Sequence, residues 1–433
     1  MKAGVMGFLN RRLIPALTAI GDNPYLSAIR AGMVSVVPLT IIGGLFMIVA
    51  NLPIKGWEQR IEPWLPLLNV PMTATFGLIA VFACFAVAYD LGKQMRQEAV
   101  VSASMATVVF LMIQLGYDGE KKEWLLQMPG LGSQGLFTAI LVGLITVRVQ
   151  KFFTDQNLVI RLPRNVPEVV YESFLSLTPF LCLIVSFWLI RYVLGVDINA
   201  GIQKALSPLV FALNTLPGIL VYAFLVTLLW SVGINGDNTM DAIVAPIFLG
   251  YLTANADAVT HGQPLPYITA NGFFTSFVNV GGTGATLALA LVMLNSREPG
   301  YRKISRVSLP TQIFGINEPI FFGFPIVLNP VFMVPYLLNA LLLTTGSYLL
   351  MEWGLIRRPS VGVPWTTPPI IGHYLVSGND WRAAVWGAVS IVLAMAVYYP
   401  FARAAERQRL SAEAAAPMPT PPAPTPADPW DQR

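Results

Sequence analysis

The chain has 433 residues, 55% of them hydrophobic and only 12% charged, with a formal net charge of +4. A soluble domain carries roughly 25% charged residues, so this balance excludes a soluble enzyme and points to a membrane protein with many spans. Basic residues in such a chain mark particular membrane ends, not a nucleic-acid surface.

The N-terminal residues show no short apolar core followed by a small-residue cleavage site, so the first strong apolar run is expected to remain in the protein. Runs long enough to cross a bilayer are predicted at 31–51, 72–91, 97–115, 132–149, 170–195, 216–234, 239–253, 279–295, 329–350 and 383–401. Two more apolar stretches, 264–278 and 307–328, are rich in Pro, Gly and Asn and predict re-entrant hairpins. The mixed segments 8–20 and 198–212 suit amphipathic helices lying at the interface. The fold class expected is therefore an all-α polytopic membrane protein, with about ten transmembrane helices, two re-entrant hairpins and interfacial helices.

Loop charges predict the orientation. Lys2, Arg11, Arg12 and Arg30 precede the first span, Lys93 and Arg96 follow the second, and Arg148, Lys151, Arg161 and Arg164 follow the fourth. Arg297, Arg302, Lys303 and Arg306 follow the eighth, and Arg403, Arg407 and Arg409 follow the last. Excess Lys and Arg mark the cytoplasmic side, so both termini are expected inside, in the inner membrane of a cell. Arg357 and Arg358 fall on the wrong side of this count and suggest a loop folded back into the protein. From about Ser411 the sequence turns Ala/Pro-rich, which predicts a disordered tail.

The two cysteines, Cys84 and Cys182, stand in apolar runs and read as small core residues. His261 and His373 are far apart, so no metal cluster and no cofactor are expected.

Glu318 is the most informative residue. It lies in Gly315-Ile316-Asn317-Glu318-Pro319, a carboxylate in a broken apolar segment that continues to Gly323-Phe324-Pro325. A carboxylate at membrane depth survives where it faces a cavity or a partner. Three other blocks accompany it: Leu162-Pro163-Arg164-Asn165-Val166-Pro167-Glu168; Trp230-Ser231-Val232-Gly233-Ile234-Asn235-Gly236; and Thr269-Ala270-Asn271-Gly272-Phe273 running into Gly281-Gly282-Thr283-Gly284. Pro364-Trp365-Thr366-Thr367-Pro368 and Gly378-Asn379-Asp380-Trp381-Arg382 complete the pattern.

Together, across residues 8–405, these blocks resemble the enzyme IIC membrane subunits of the sugar phosphotransferase system, in the lactose/cellobiose/chitobiose branch. The resemblance implies a homodimer with an N-terminal scaffold, residues 1–197, and a moving substrate-holding half, residues 198–405, ahead of the tail at 406–433. Small residues of the first span, Gly32, Gly43 and Gly44, would suit the dimer contact. It also implies inward movement of a disaccharide such as cellobiose or chitobiose, phosphorylated by separate IIA and IIB proteins. The phosphoryl-donor residues would not lie on this chain, so any enzymatic role is that of a membrane component.

By the resemblance, Glu318 contacts sugar hydroxyls and is a possible base, for which partial burial would suit it. The alternative is a carboxylate capping the hairpin through backbone N–H groups. Trp230 and Trp365, with Thr366, match positions that hold the sugar ring; an interfacial aromatic belt is the other reading of the tryptophans. Asn271 and Asn317 either bond hydroxyls or close hairpin turns. Asn235 departs from the family, which has histidine in Gly-Ile-His-Gly: Asn can bind a hydroxyl but cannot relay a proton near neutral pH. That substitution leaves open a sugar sensor or facilitator that does not phosphorylate, and Asn235 merely ending a helix is a third possibility. Asp237, Asn238 and Asp241 read as a helix cap or, less simply, as a cation site for an ion-coupled symporter. Neither the particular sugar nor the IIB partner is legible.

Overall fold

The computed structural model describes residues 23–50, 56–160, 168–324, 326–327 and 329–415. The N-terminal interfacial segment, the 161–167 block and residues 416–433 lie outside the described residues. Within them the chain is almost wholly helical. A short antiparallel hairpin, β1 (Leu115–Asp118) and β2 (Glu123–Leu126), interrupts it, with Leu115 opposite Leu126. Tyr117 and Trp124 pack across its exposed face with their rings tilted at 56° and 5.2 Å apart.

The first half is built from α1 (Pro24–Ala50), α2 (Leu65–Thr75), α3 (Ile79–Gln94), α4 (Ala99–Ile113), α5 (Leu136–Asp155) and α6 (Glu168–Trp188). Ala83, Cys84, Val87, Ala88 and Leu91 of α3 are fully buried and make it the centre of this half. The glycines of α1 are spent inside the chain. A Cβ on Gly32 would lie 2.4 Å from Val87 of α3, and one on Gly43 would lie 2.3 Å from Thr75 of α2. Gly44 seats against Val361, 2.8 Å from where its Cβ would be. The small-residue stripe expected to serve a dimer contact is thus occupied by helix packing within one chain. Cys84 is core as expected, but Cys182 is exposed on α6. The expectation failed because an apolar run on the outer surface of the helix bundle looks, in sequence, like one facing its interior.

The second half begins with α7 (Ile198–Leu213), capped by Asp197, whose carboxylate accepts from Ala200 N at 3.0 Å. It bends by 78° into α8 (Leu216–Ser231), as an interface-lying helix entering a span would. Then follow α9 (Gly236–Thr260), α10 (Thr286–Met293), α11 (Pro299–Ile313), α12 (Glu318–Gly323), α13 (Pro330–Glu352), α14 (Pro369–Val376) and α15 (Trp381–Ala415). Eight helical stretches among the described residues are long and apolar enough to cross a membrane, nine with the bent pair. Ala99–Gln114 is a shorter apolar helix, so length and composition alone do not reach the expected ten.

The broken segments fall where the Pro/Gly/Asn bias placed them. Residues 263–272 are mostly irregular and lead through a turn of π-helix, Phe273–Val278, to the Gly281–Gly284 break before α10. Residues 299–323 form α11, a tight turn with Gly315 at φ 78°, and α12. A third such segment, 353–380, lies beyond the two predicted hairpins, at the loop that Arg357 and Arg358 suggested was folded back. It folds back so that the N–H groups of Ser360 and Val361 both donate to the Val376 carbonyl. Arg358 lies in it and donates to the Leu265 carbonyl at 2.7 Å, which accounts for the discordant arginine pair as a folded-back loop.

The last helix runs to Ala415, so residues 406–415, expected in the tail, are helical. Glu406 anchors them: it accepts from Ser296 Oγ at 2.8 Å and pairs with Arg403 at 2.7 Å.

Candidate functional site

The site is built where four helix breaks meet. At the end of α8 the chain turns through Gly233, at φ 89°. Gly233 N donates to Trp230 O at 2.8 Å and Ile234 N to Leu229 O at 3.0 Å, a Schellman closure that needs glycine at the left-handed position. Asn235 follows at once as the N-cap of α9, its Oδ1 accepting from Asn238 N at 2.9 Å. One side of the Asn235 amide is therefore committed to the helix.

With the cap filled by Asn235, Asp237 is free to turn inward. Its Oδ2 accepts from the Trp230 indole N–H at 2.8 Å and from Thr283 Oγ1 at 2.7 Å. The cap role first considered for Asp237 is thus taken two residues earlier. Thr283 belongs to the Gly281–Gly284 break, and its carbonyl accepts from Asn317 Nδ2 at 3.4 Å. Gly282 makes that approach possible, since a Cβ there would lie 2.4 Å from Asn317 Cβ. Phe321 of α12 completes the group, its ring edge-on to Trp230 at 5.2 Å. Trp230, Asp237, Thr283, Asn317 and Phe321 form one contiguous cluster drawn from 230 to 321.

Glu318 stands next to Asn317 at the start of α12, exposed where partial burial had been expected. Asn317, the N-cap position of α12, makes no side-chain cap bond. Trp365, 58% exposed, comes to the same tip: a Cβ on Gly315 would lie 3.2 Å from its carbonyl and 3.6 Å from its ring. Thr366 beside it is partly exposed. The turn carrying Glu318 and the loop carrying Trp365 therefore meet, Trp365 lying in the segment that folds back behind Arg357 and Arg358.

Asn271 is elsewhere. Its N–H donates to the Phe248 carbonyl, roughly 16 Å along α9 from Asp237 at 1.5 Å per residue. A cavity of ≈ 510 Å³ lined by Ala50, Glu62, Asn69, Met72, Val259 and Thr260 lies at the far end of α9, away from the cluster. Thr283 and Phe321 were not singled out as site residues; nothing local in either marks a partner 40 to 90 positions away.

An all-helical membrane fold with broken segments gathering polar and aromatic side chains defines a transporter architecture. Residues 30–340 match the family described as "Phosphotransferase system, EIIC", and the chain belongs to that family. It is 34% identical to the putative permease IIC component YwbA of Bacillus subtilis, over 94% of this chain and 96% of that protein. It is equally 34% identical to the cellobiose-specific EIIC component of Geobacillus stearothermophilus, with the same coverage. Among solved structures it is similar to the transporter ChbC, the IIC component of an N,N'-diacetylchitobiose-specific phosphotransferase system, at 33% identity and a TM-score of 0.87. That match covers 95% of this chain and all of ChbC.

Proposed function

We propose that this EIIC protein carries a cellobiose- or chitobiose-type disaccharide inward, coupled to its phosphorylation by IIA and IIB proteins encoded separately. The observation that carries this reading is the approach of Trp365 to Gly315, in the turn that carries Glu318 and leads into the Trp230–Asn317 cluster. A carboxylate for hydroxyls, an aromatic face for the apolar side of a pyranose and amide donors are the groups a disaccharide requires. The names of two similar proteins, one cellobiose-specific and one chitobiose-specific, support the same substrate class.

In this reading Trp230, Asn235, Asn317, Glu318, Trp365 and Thr366 bind the sugar, and Glu318 is the group able to accept its proton. Asn271 joins them only by movement of the 263–272 segment, since it now lies apart. The protein works as an inner-membrane homodimer with both termini in the cytoplasm. With the α1 glycines occupied, the dimer contact falls to other faces; α6, with Leu177, Leu181 and Val185 exposed, is the one offered.

A second reading, a sensor or facilitator that binds sugar without phosphorylation, draws on Asn235 being a helix cap in place of the family histidine. Uptake of labelled cellobiose, chitobiose and lactose into vesicles, with and without phosphorylated IIB, separates the two. Sugar phosphate accumulating only with IIB supports the permease. Binding without phosphorylation under any IIB supports the sensor. No binding of any of the three rejects both.

A further inference from the structure

The structure assigns Asp237 a role of its own: we propose that it is the positioning residue of the sugar site, fixing Trp230 and Asn317 through a single carboxylate oxygen. This rests on the reading of Trp230 and Asn317 as sugar-binding residues. Two arms leave Oδ2. One is the 2.8 Å bond from the Trp230 indole, which sets the ring against Phe321. The other is the 2.7 Å bond from Thr283 Oγ1, whose own carbonyl holds Asn317. Charge-assisted bonds of this kind are short and strong relative to neutral ones.

Three features make this more than a local contact. The helix cap is supplied by Asn235, so α9 does not need Asp237 to begin. The position in the first turn of α9 places the carboxylate where the helix dipole favours negative charge. Two of the donors it gathers come from α8 and from the Gly281–Gly284 break, elements that touch the cluster from opposite sides in sequence, and Asn279 just ahead of that break is a further partner. Removing the carboxylate releases the indole and the Thr283 hydroxyl together. The indole, no longer held, would sample other rotamers and lose its fixed face for a sugar ring. Asn at this position keeps one carbonyl oxygen that can accept from both donors, so it should rescue.

The experiment is a double-mutant cycle read by calorimetry with whichever of cellobiose, chitobiose or lactose the native protein binds most tightly. Asp237→Ala should weaken binding about tenfold, and Asp237→Asn by less than threefold. In a Trp230→Phe background, Asp237→Ala should add less than a further twofold. In native protein labelled with 5-fluorotryptophan, the ¹⁹F resonance lost in Trp230→Phe should be sharp, broadening in Asp237→Ala and sharpening again in Asp237→Asn. If Trp230→Phe weakens binding but Asp237→Ala does not, or if the two effects multiply fully, the positioning role is wrong and the site stands. If Trp230→Phe leaves binding unchanged, the site reading itself fails and the positioning role falls with it. Should Asp237→Ala not fold, indole hydrogen exchange in the native protein decides. Trp230 N–H exchanging as fast as that of exposed Trp365 overturns the proposal, and exchange at least tenfold slower in native protein and in Asp237→Asn supports it.

Discussion

Arg30 of α1 donates from Nη1 to the main-chain carbonyl of Asn238 at 3.2 Å, across 208 positions of sequence. The bond ties the first of the described helices to the turn of α9 that carries Asp237. It is exposed, so its worth is modest, about 0.5–1 kcal/mol. Arg30→Gln should leave sugar affinity within twofold while deuterium exchange across 236–244 rises by roughly two- to fivefold. An unchanged exchange rate would show that the first turn of α9 is held by other contacts.

Gly284 sits at φ 71°, and a Cβ there would lie 2.3 Å from the Tyr336 ring, while its carbonyl accepts from Tyr398 at 2.7 Å. Gly284→Ala adds a left-handed strain and an overlap inside a filled core, together about 2 kcal/mol or more. Its melting midpoint in detergent should fall by several degrees. A midpoint equal to the native value would contradict the packing described.

Glu318→Gln should fold and insert normally but bind the disaccharide at least tenfold more weakly, about 1.4 kcal/mol. The carboxylate stands exposed at the tip of its turn, so stability should not change with it. Calorimetry showing native affinity in the folded variant would remove Glu318 from the site.

Asn235→His tests two roles at once. Histidine can relay a proton near neutral pH, so IIB-dependent phosphorylation should rise while affinity holds within a few-fold. Asparagine is the better cap, so the same change should cost about 0.5–2 kcal/mol of stability. If the native protein already phosphorylates well and the variant does no better, Asn235 is an ordinary binding or capping residue.

Asp380 carries a pH signature. It is 8% exposed, and although burial opposes its charge, the bidentate Arg382 and the N–H groups of Arg357 and Arg382 hold its carboxyl below the usual range. A depressed folded value lends stability that is present above the unfolded value, about 3.9, and lost as pH falls through the folded one. Asp380→Asn should cost about 1.5–3 kcal/mol at pH 7 and much less near pH 3. Melting curves at both pH values check the sign: a difference that grows in acid would refute it.

The apolar runs were legible because the bilayer demands continuous hydrophobicity, and so was Glu318, the carboxylate in the broken segment that follows α11. The partners of these residues were not. Trp230 meets Asp237 seven positions on, within a helix-to-helix turn, but Thr283 and Phe321 reach the same cluster by tertiary packing that leaves no local trace. The fold-back at 353–380 was signalled by the misplaced pair Arg357 and Arg358, but not its extent, nor that Arg358 would reach the Leu265 carbonyl. Gly32 and Gly43 announced close helix packing correctly, but not which helix would come close.

The alignment of α1 with α9 fixes the parity of the chain between them. Arg30 meets Asn238 near their first residues, and Ala50 shares a cavity wall with Val259 and Thr260 near their last, so the two helices run the same way. A chain that leaves α1 on one face and enters α9 from the other must have returned through the bilayer an odd number of times. The long candidates in that interval are Gln59–Gln94, Ser133–Asp155, Phe174–Val193 and the bent pair ending at Ser231, which make four. An even count cannot bring the chain back. Ala99–Gln114, a shorter apolar helix of roughly 24 Å at 1.5 Å per residue, is the stretch in that interval that would make the count odd if it crossed as well.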